Sequence, residues 1–170
     1  MADGSTVLST WKEARMGMAV SRSDVTADRG APASRLRQAF LWLYLIGGAL
    51  VAAGVLLQAF SIAAYVRGAG PEALDLHETG GFVTHSIEII VFLTALVAFW
   101  GVWRTVALAL LLPVIGTAQV LLIGDTGEPG GWVNGLHGLF ALVVLLLAVA
   151  LVQTGLRALG SGLRRKPPLD

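Results

Sequence analysis

His77, His85 and His137, Glu88, and the side-chain amides of Gln58, Gln119 and Asn134 stand inside otherwise apolar stretches of this chain. These are the residues that could do chemistry. Read as a helix at about 100° per residue, the stretch Asp75 to Glu88 places His77, Gly81, Thr84, His85 and Glu88 within roughly a quarter-turn of one another. A polar stripe of this kind cannot face lipid tails and must face other helices, water or a ligand. His85 and Glu88 lie one turn apart, so they are expected to form a hydrogen-bonded polar pair. Glu88 falls about 16 Å along the helix from His77. That depth is close to mid-membrane, where a carboxyl could pass protons towards His85, bind a cation or tie two helices together.

The amides and histidines recur in order. Gln58 precedes His77 by 19 residues and Gln119 precedes His137 by 18, with leucine before each histidine. In both copies a Gly/Pro/acid connection separates amide from histidine, and a small residue, Gly81 or Ala141, follows the histidine by four positions. Two copies of one helical hairpin, related by an axis along the membrane normal, would account for this. Such an axis would set His77 and His137 at similar depth across a shared hollow, which is the geometry of bis-histidine ligation of haem b. His85, two turns below His77, is the alternative axial ligand. Gly80, Gly81, Gly138 and Ala141 are small enough to flank a macrocycle. Gln58, Gln119 and Asn134 could bond its propionates or fix the imidazole tautomers. The plainer readings are a wet interfacial His77 and glutamines that simply tie helices together.

The elements that must position these residues are membrane spans. The chain is 55% hydrophobic and 14% charged, with mean hydropathy +0.74, against roughly 25% charged for an ordinary globular protein. An all-α fold is expected, an integral membrane four-helix bundle of up-down topology. Uncharged or nearly uncharged runs place the spans at about 38–66, 78–103, 105–124 and 132–156. Residues 80–124 contain only Glu88 and Arg104 as charges before the acidic Asp125; as one helix they would be about 65 Å long, twice what a bilayer accepts. The turn between the second and third spans is therefore expected at Trp103-Arg104-Thr105. Residues 1–34 read as a loose arm, 35–157 as the membrane domain and 158–170 as a basic tail. Gly47-Gly48, Ala52-Ala53-Gly54 and Ala63-Ala64 are expected to let neighbouring backbones approach, and Pro113 to bend the third helix.

Arg29, Arg35, Arg37, Arg104, Arg157, Arg164, Arg165 and Lys166 would share one side of the membrane, and Arg67 alone would lie on the other. Both termini are then expected in the cytoplasm, with the protein integral to the cytoplasmic (inner) membrane. A net charge of +1 argues against nucleic acid, so the expected partners are the lipid bilayer and another membrane protein or redox partner. The absence of cysteine excludes disulfides, iron–sulfur clusters and covalent c-type haem.

The segments Leu57-Gln58-Ala59-Phe60, Asp75-Leu76-His77 to Gly81, Pro113 to Gln119 and Leu136-His137-Gly138-Leu139 resemble a family of small four-helix integral membrane proteins, a domain of unknown function. The resemblance spans about residues 35 to 156. More distantly, histidine on the second and fourth helices is similar to one half of haem A synthase and to b-type membrane cytochromes. That similarity implies His77 and His137 as axial ligands and a role in electron transfer or haem handling. Glu78 stands where the synthase pattern has arginine, and there is one bundle rather than two, so synthase activity is not implied. No phosphate loop, dinucleotide fingerprint, serine elbow or zinc-protease motif occurs. Two other functions fit the same stripe: a small proton-coupled transporter using Glu88 and His85, and a non-catalytic accessory or assembly subunit of a membrane complex.

Overall fold

The lengths of the apolar runs dictate the architecture. A computed structural model describes residues 31–123 and 131–163. Within them are four helices and no strand: α1 (Ala31–Val66), α2 (Pro71–Ala98), α3 (Trp103–Ile123) and α4 (Gly131–Leu163). Each contains a segment long and apolar enough to cross a membrane. The protein is a membrane four-helix bundle. From Gln38 onward the chain forms one compact unit; Met1–Arg37 groups separately.

Several boundaries differ from the sequence expectation. α1 begins at Ala31, inside the stretch read as a loose arm, and α4 runs on to Leu163. α2 begins at Pro71, because proline suits the first helical turn and Glu72 complements its positive end. The polar first turns masked that start. The turn between α2 and α3 lies at Phe99 to Val102, not at Trp103-Arg104-Thr105. Gly101 takes a positive φ of 84° there, a conformation that glycine adopts without steric cost. Trp100 and Trp103, with ring centroids 5.7 Å apart, flank the turn beside Arg104. α1 ends in a Schellman arrangement around Gly68, with Gly68 N–H bonded to Tyr65 O and Ala69 N–H to Ala64 O. Residues 1–30, the connection 124–130 and the tail from 164 lie outside the described residues, as does the side chain of Asn134.

Close helix approaches occur where small residues stand. A Cβ on Gly47 would come within 2.7 Å of Val91 Cγ2, and one on Gly54 would strike the Thr84 side chain, so both pin α1 against α2. Gly48 faces Val152 and Gly155 faces Leu45, which seats α4 on the other flank of α1. Together with the α2–α3 and α3–α4 packing, this sets the helices in cyclic order and leaves α2 and α4 diagonal.

The buried faces repeat with the sequence. A shift of 61 residues carries Tyr44, Gly48, Val51 and Val55 of α1 onto Thr105, Ala109, Leu112 and Gly116 of α3, and all eight are buried. A shift of 60 carries Thr84, Glu88, Val91 and Ala95 of α2 onto Val144, Ala148, Leu151 and Gly155 of α4, again all buried. The two hairpins therefore bury corresponding positions. Gln58 and Gln119, and His77 and His137, are equivalents under the same shifts.

Candidate functional site

Each histidine near the start of an even-numbered helix bonds to the amide residue of the helix before it. His77 Nδ1 lies 3.0 Å from the backbone carbonyl oxygen of Gln58. His137 Nδ1 lies 3.4 Å from the carbonyl oxygen of Gln119, and Gln119 Nε2 donates to His137 O at 3.0 Å. A carbonyl oxygen only accepts, so in both rings Nδ1 carries the hydrogen. Each neutral imidazole then keeps its lone pair on Nε2, with the ring held from behind. The second contact is the longer and weaker of the two.

The two rings meet across the bundle. Their centroids are 6.2 Å apart with an interplanar angle of 66°. Two imidazoles sharing one metal, with bonds of about 2.0 Å and ring centres roughly 1.1 Å behind each nitrogen, would stand about 6.3 Å apart. Direct edge-to-face contact also occupies this range. It is the Nδ1 hydrogen bonds that separate a ligand-like arrangement from a casual one, since metal-binding histidines are usually oriented through their second nitrogen.

The small residues and amides divide unevenly between the halves. Gln58 lays its carboxamide over α2, where a Cβ on Gly80 would strike Nε2 and one on Gly81 would lie 3.4 Å from Oε1. Buried Gln58 Nε2 has no hydrogen-bond partner, whereas its counterpart on Gln119 has one. Gly80 and Gly81 thus seat the Gln58 carboxamide on α2. Gly138 meets no atom within 4 Å of an added Cβ, and Ala141 is half-buried against the core. Ser61, fully buried, donates to the same Gln58 carbonyl as His77. Nothing in the sequence pattern distinguishes Ser61, whose equivalent is Leu122.

No protein-family model, curated protein or solved structure matches this chain.

His85 is engaged elsewhere. Its Nδ1 lies 2.9 Å from Glu88 Oε2 and its Nε2 3.4 Å from Thr117 Oγ1 of α3. Thr117 in turn donates to the carbonyl of Pro113 at 2.7 Å. Both ring nitrogens of His85 thus have partners within the chain, while Nε2 of His77 and of His137 has no hydrogen bond among those described. Gly116 makes the pair fit: a Cβ there would strike Glu88 Oε2 and come within 2.6 Å of His85 Nδ1. Gly116 lies in an apolar run, where glycine reads as generic helix packing, so its role is visible only in three dimensions. Among the described residues no group of three or more metal-ligating His, Cys, Asp or Glu side chains converges. Two imidazoles alone make a poor site for a bare ion.

Proposed function

We propose that this membrane bundle binds b-type haem between α2 and α4, with His77 and His137 as axial ligands, and serves electron transfer or haem handling. One observation carries the reading: two symmetry-related imidazoles 6.2 Å apart, each with Nδ1 tied to a glutamine carbonyl. Such backing fixes the tautomer and ring orientation that an iron ligand requires. The unpartnered Nε2 of Gln58, lying over Gly80, adds a buried donor on the residue whose carbonyl holds His77, suited to an anionic group such as a propionate. When bound, the haem would supply one-electron exchange. The chain's own residues would present two lone pairs, orient them and exclude solvent.

The protein is read as lying in the cytoplasmic membrane with both termini inside. Arg35, Arg37, Arg104 and Arg157 flank one end of the spans and Arg67 the other, as the positive-inside rule requires.

Visible absorbance of protein purified from haem-replete cells, oxidised and dithionite-reduced, tests the assignment. A Soret band with a reduced α band is expected in the wild type and in His85→Ala, and neither band in His77→Ala or His137→Ala. A featureless wild-type spectrum refutes it.

A further inference from the structure

The two halves of the bundle differ most where Glu88 lies. Under the shifts that superpose the buried faces, Glu88 corresponds to Ala148, His85 to Leu145, Gly116 to Val55 and Thr117 to Leu56. The contact between the hairpins at α2–α3 therefore sets a carboxyl on the even helix against a glycine on the odd helix. The equivalent positions of α4 and α1 hold an alanine and a valine. The small residue at 116 matches the bulk added at 88, so the α2–α3 contact is shaped around the polar pair. Such a pair at mid-span is costly unless its hydrogen bonds are complete.

The hydrogen-bond directions count the protons. Thr117 uses its hydroxyl hydrogen on Pro113 O, so towards His85 its oxygen accepts, and His85 Nε2 carries a hydrogen. That leaves Nδ1 facing Glu88 Oε2 at 2.9 Å. Two filled lone pairs would repel at this distance, and two hydrogens would collide. One proton lies between them, on the imidazole as imidazolium–carboxylate or on the carboxyl as imidazole–carboxylic acid. The Glu88 side chain is 3% exposed and that of His85 is 22%. The carboxyl is therefore the more enclosed end of the pair and the imidazole the more accessible one.

We propose that His85 and Glu88 form a proton-binding site within the membrane that holds a single exchangeable proton, with Thr117 as its outer acceptor and Gly116 as the gap that admits it. Besides Glu88, the only titratable group among the described buried residues is Tyr44, which packs on Phe99, 11 residues beyond Glu88 and just past the end of α2. Outward along α2 the nearest titratable groups are the exposed Glu78 and the half-buried His77, seven and eight residues from His85. From α3 the pair meets Gly116 and Thr117, neither of which titrates. The site stands on contacts separate from those of His77 and His137, and it does not depend on a bound cofactor.

Nitrogen-15 and carbon-13 magnetic resonance of the full chain in lipid nanodiscs, over about pH 5 to 8 where imidazoles titrate and in light and heavy water, tests it. The expected result is a protonated Nε2 on His85 throughout. A single pH step should move His85 Nδ1 and the Glu88 carboxyl carbon together, with the shared proton exchanging for deuterium. In Glu88→Gln, whose carboxamide has no acid proton to share, the coupled step should be lost. A bare Nε2 on His85, separate steps for the two groups, or a proton that neither titrates nor exchanges would each overturn the proposal. The same spectra read His77 and His137, expected with hydrogen on Nδ1, so the fate of the haem reading is seen independently.

Discussion

Replacing Gly116 by alanine tests the fit of α3 against the polar pair most directly. At an unobstructed helical position, glycine to alanine stabilises by about 1 kcal/mol through backbone entropy. At 116 the new methyl would occupy the place of Glu88 Oε2 and crowd His85 Nδ1. Overpacking a filled core costs about 1–3 kcal/mol, and losing a hydrogen bond to a charged partner costs about 1.5–3 kcal/mol more. The balance is a net loss of about 1.5–5 kcal/mol. The assay is unfolding in mixed micelles of rising denaturing-detergent fraction, followed by helical circular dichroism. Glu88→Ala alone removes the carboxyl and leaves a gap; combined with Gly116→Ala, the new methyl has room. The double variant is therefore expected to be more stable than the sum of the two single losses, by about 1–3 kcal/mol of coupling. A neutral or stabilised Gly116→Ala, or strictly additive losses, would refute the packing argument.

Gln119→Leu should destabilise the bundle by about 0.5–2 kcal/mol, the worth of an interhelical hydrogen bond in a membrane, because Gln119 Nε2 serves His137 O. Gln58→Leu should cost less in the haem-free protein, since Gln58 Nε2 has no partner to lose; the same detergent titration ranks the two. Gly101→Ala should cost about 1–2 kcal/mol from its positive φ, read as a lower unfolding midpoint with the absorbance spectrum unchanged. Gly54→Ala should destabilise by pushing into the Thr84 side chain, and Thr84→Ala should rescue it, measured by the recovered midpoint.

The membrane bundle was legible because span length is a physical minimum that an uncharged run either meets or does not. The boundary at Gly101 was not, because aromatic and cationic residues mark an interface to within a turn while the chain reverses wherever a residue accepts positive φ. The spacing of Gln58 to His77 and of Gln119 to His137 is visible in one dimension, and in the structure each ring does bond to its own glutamine. The bond reaches the backbone carbonyl, a group that every residue carries and no sequence pattern announces. His85 and Glu88 pair as a one-turn separation allows. Their dependence on Gly116 could not be read, because it lies in what the helix opposite lacks.

Each imidazole is held by the first helix of its own hairpin: His77 of α2 by α1, and His137 of α4 by α3. Severing the chain in the short link from Phe99 to Val102 would leave two pieces, each with an oriented ring and neither with a pair. Co-expressed halves would regain paired imidazoles only on docking correctly, so any signal that needs both rings would become a direct gauge of how the bundle assembles in the membrane.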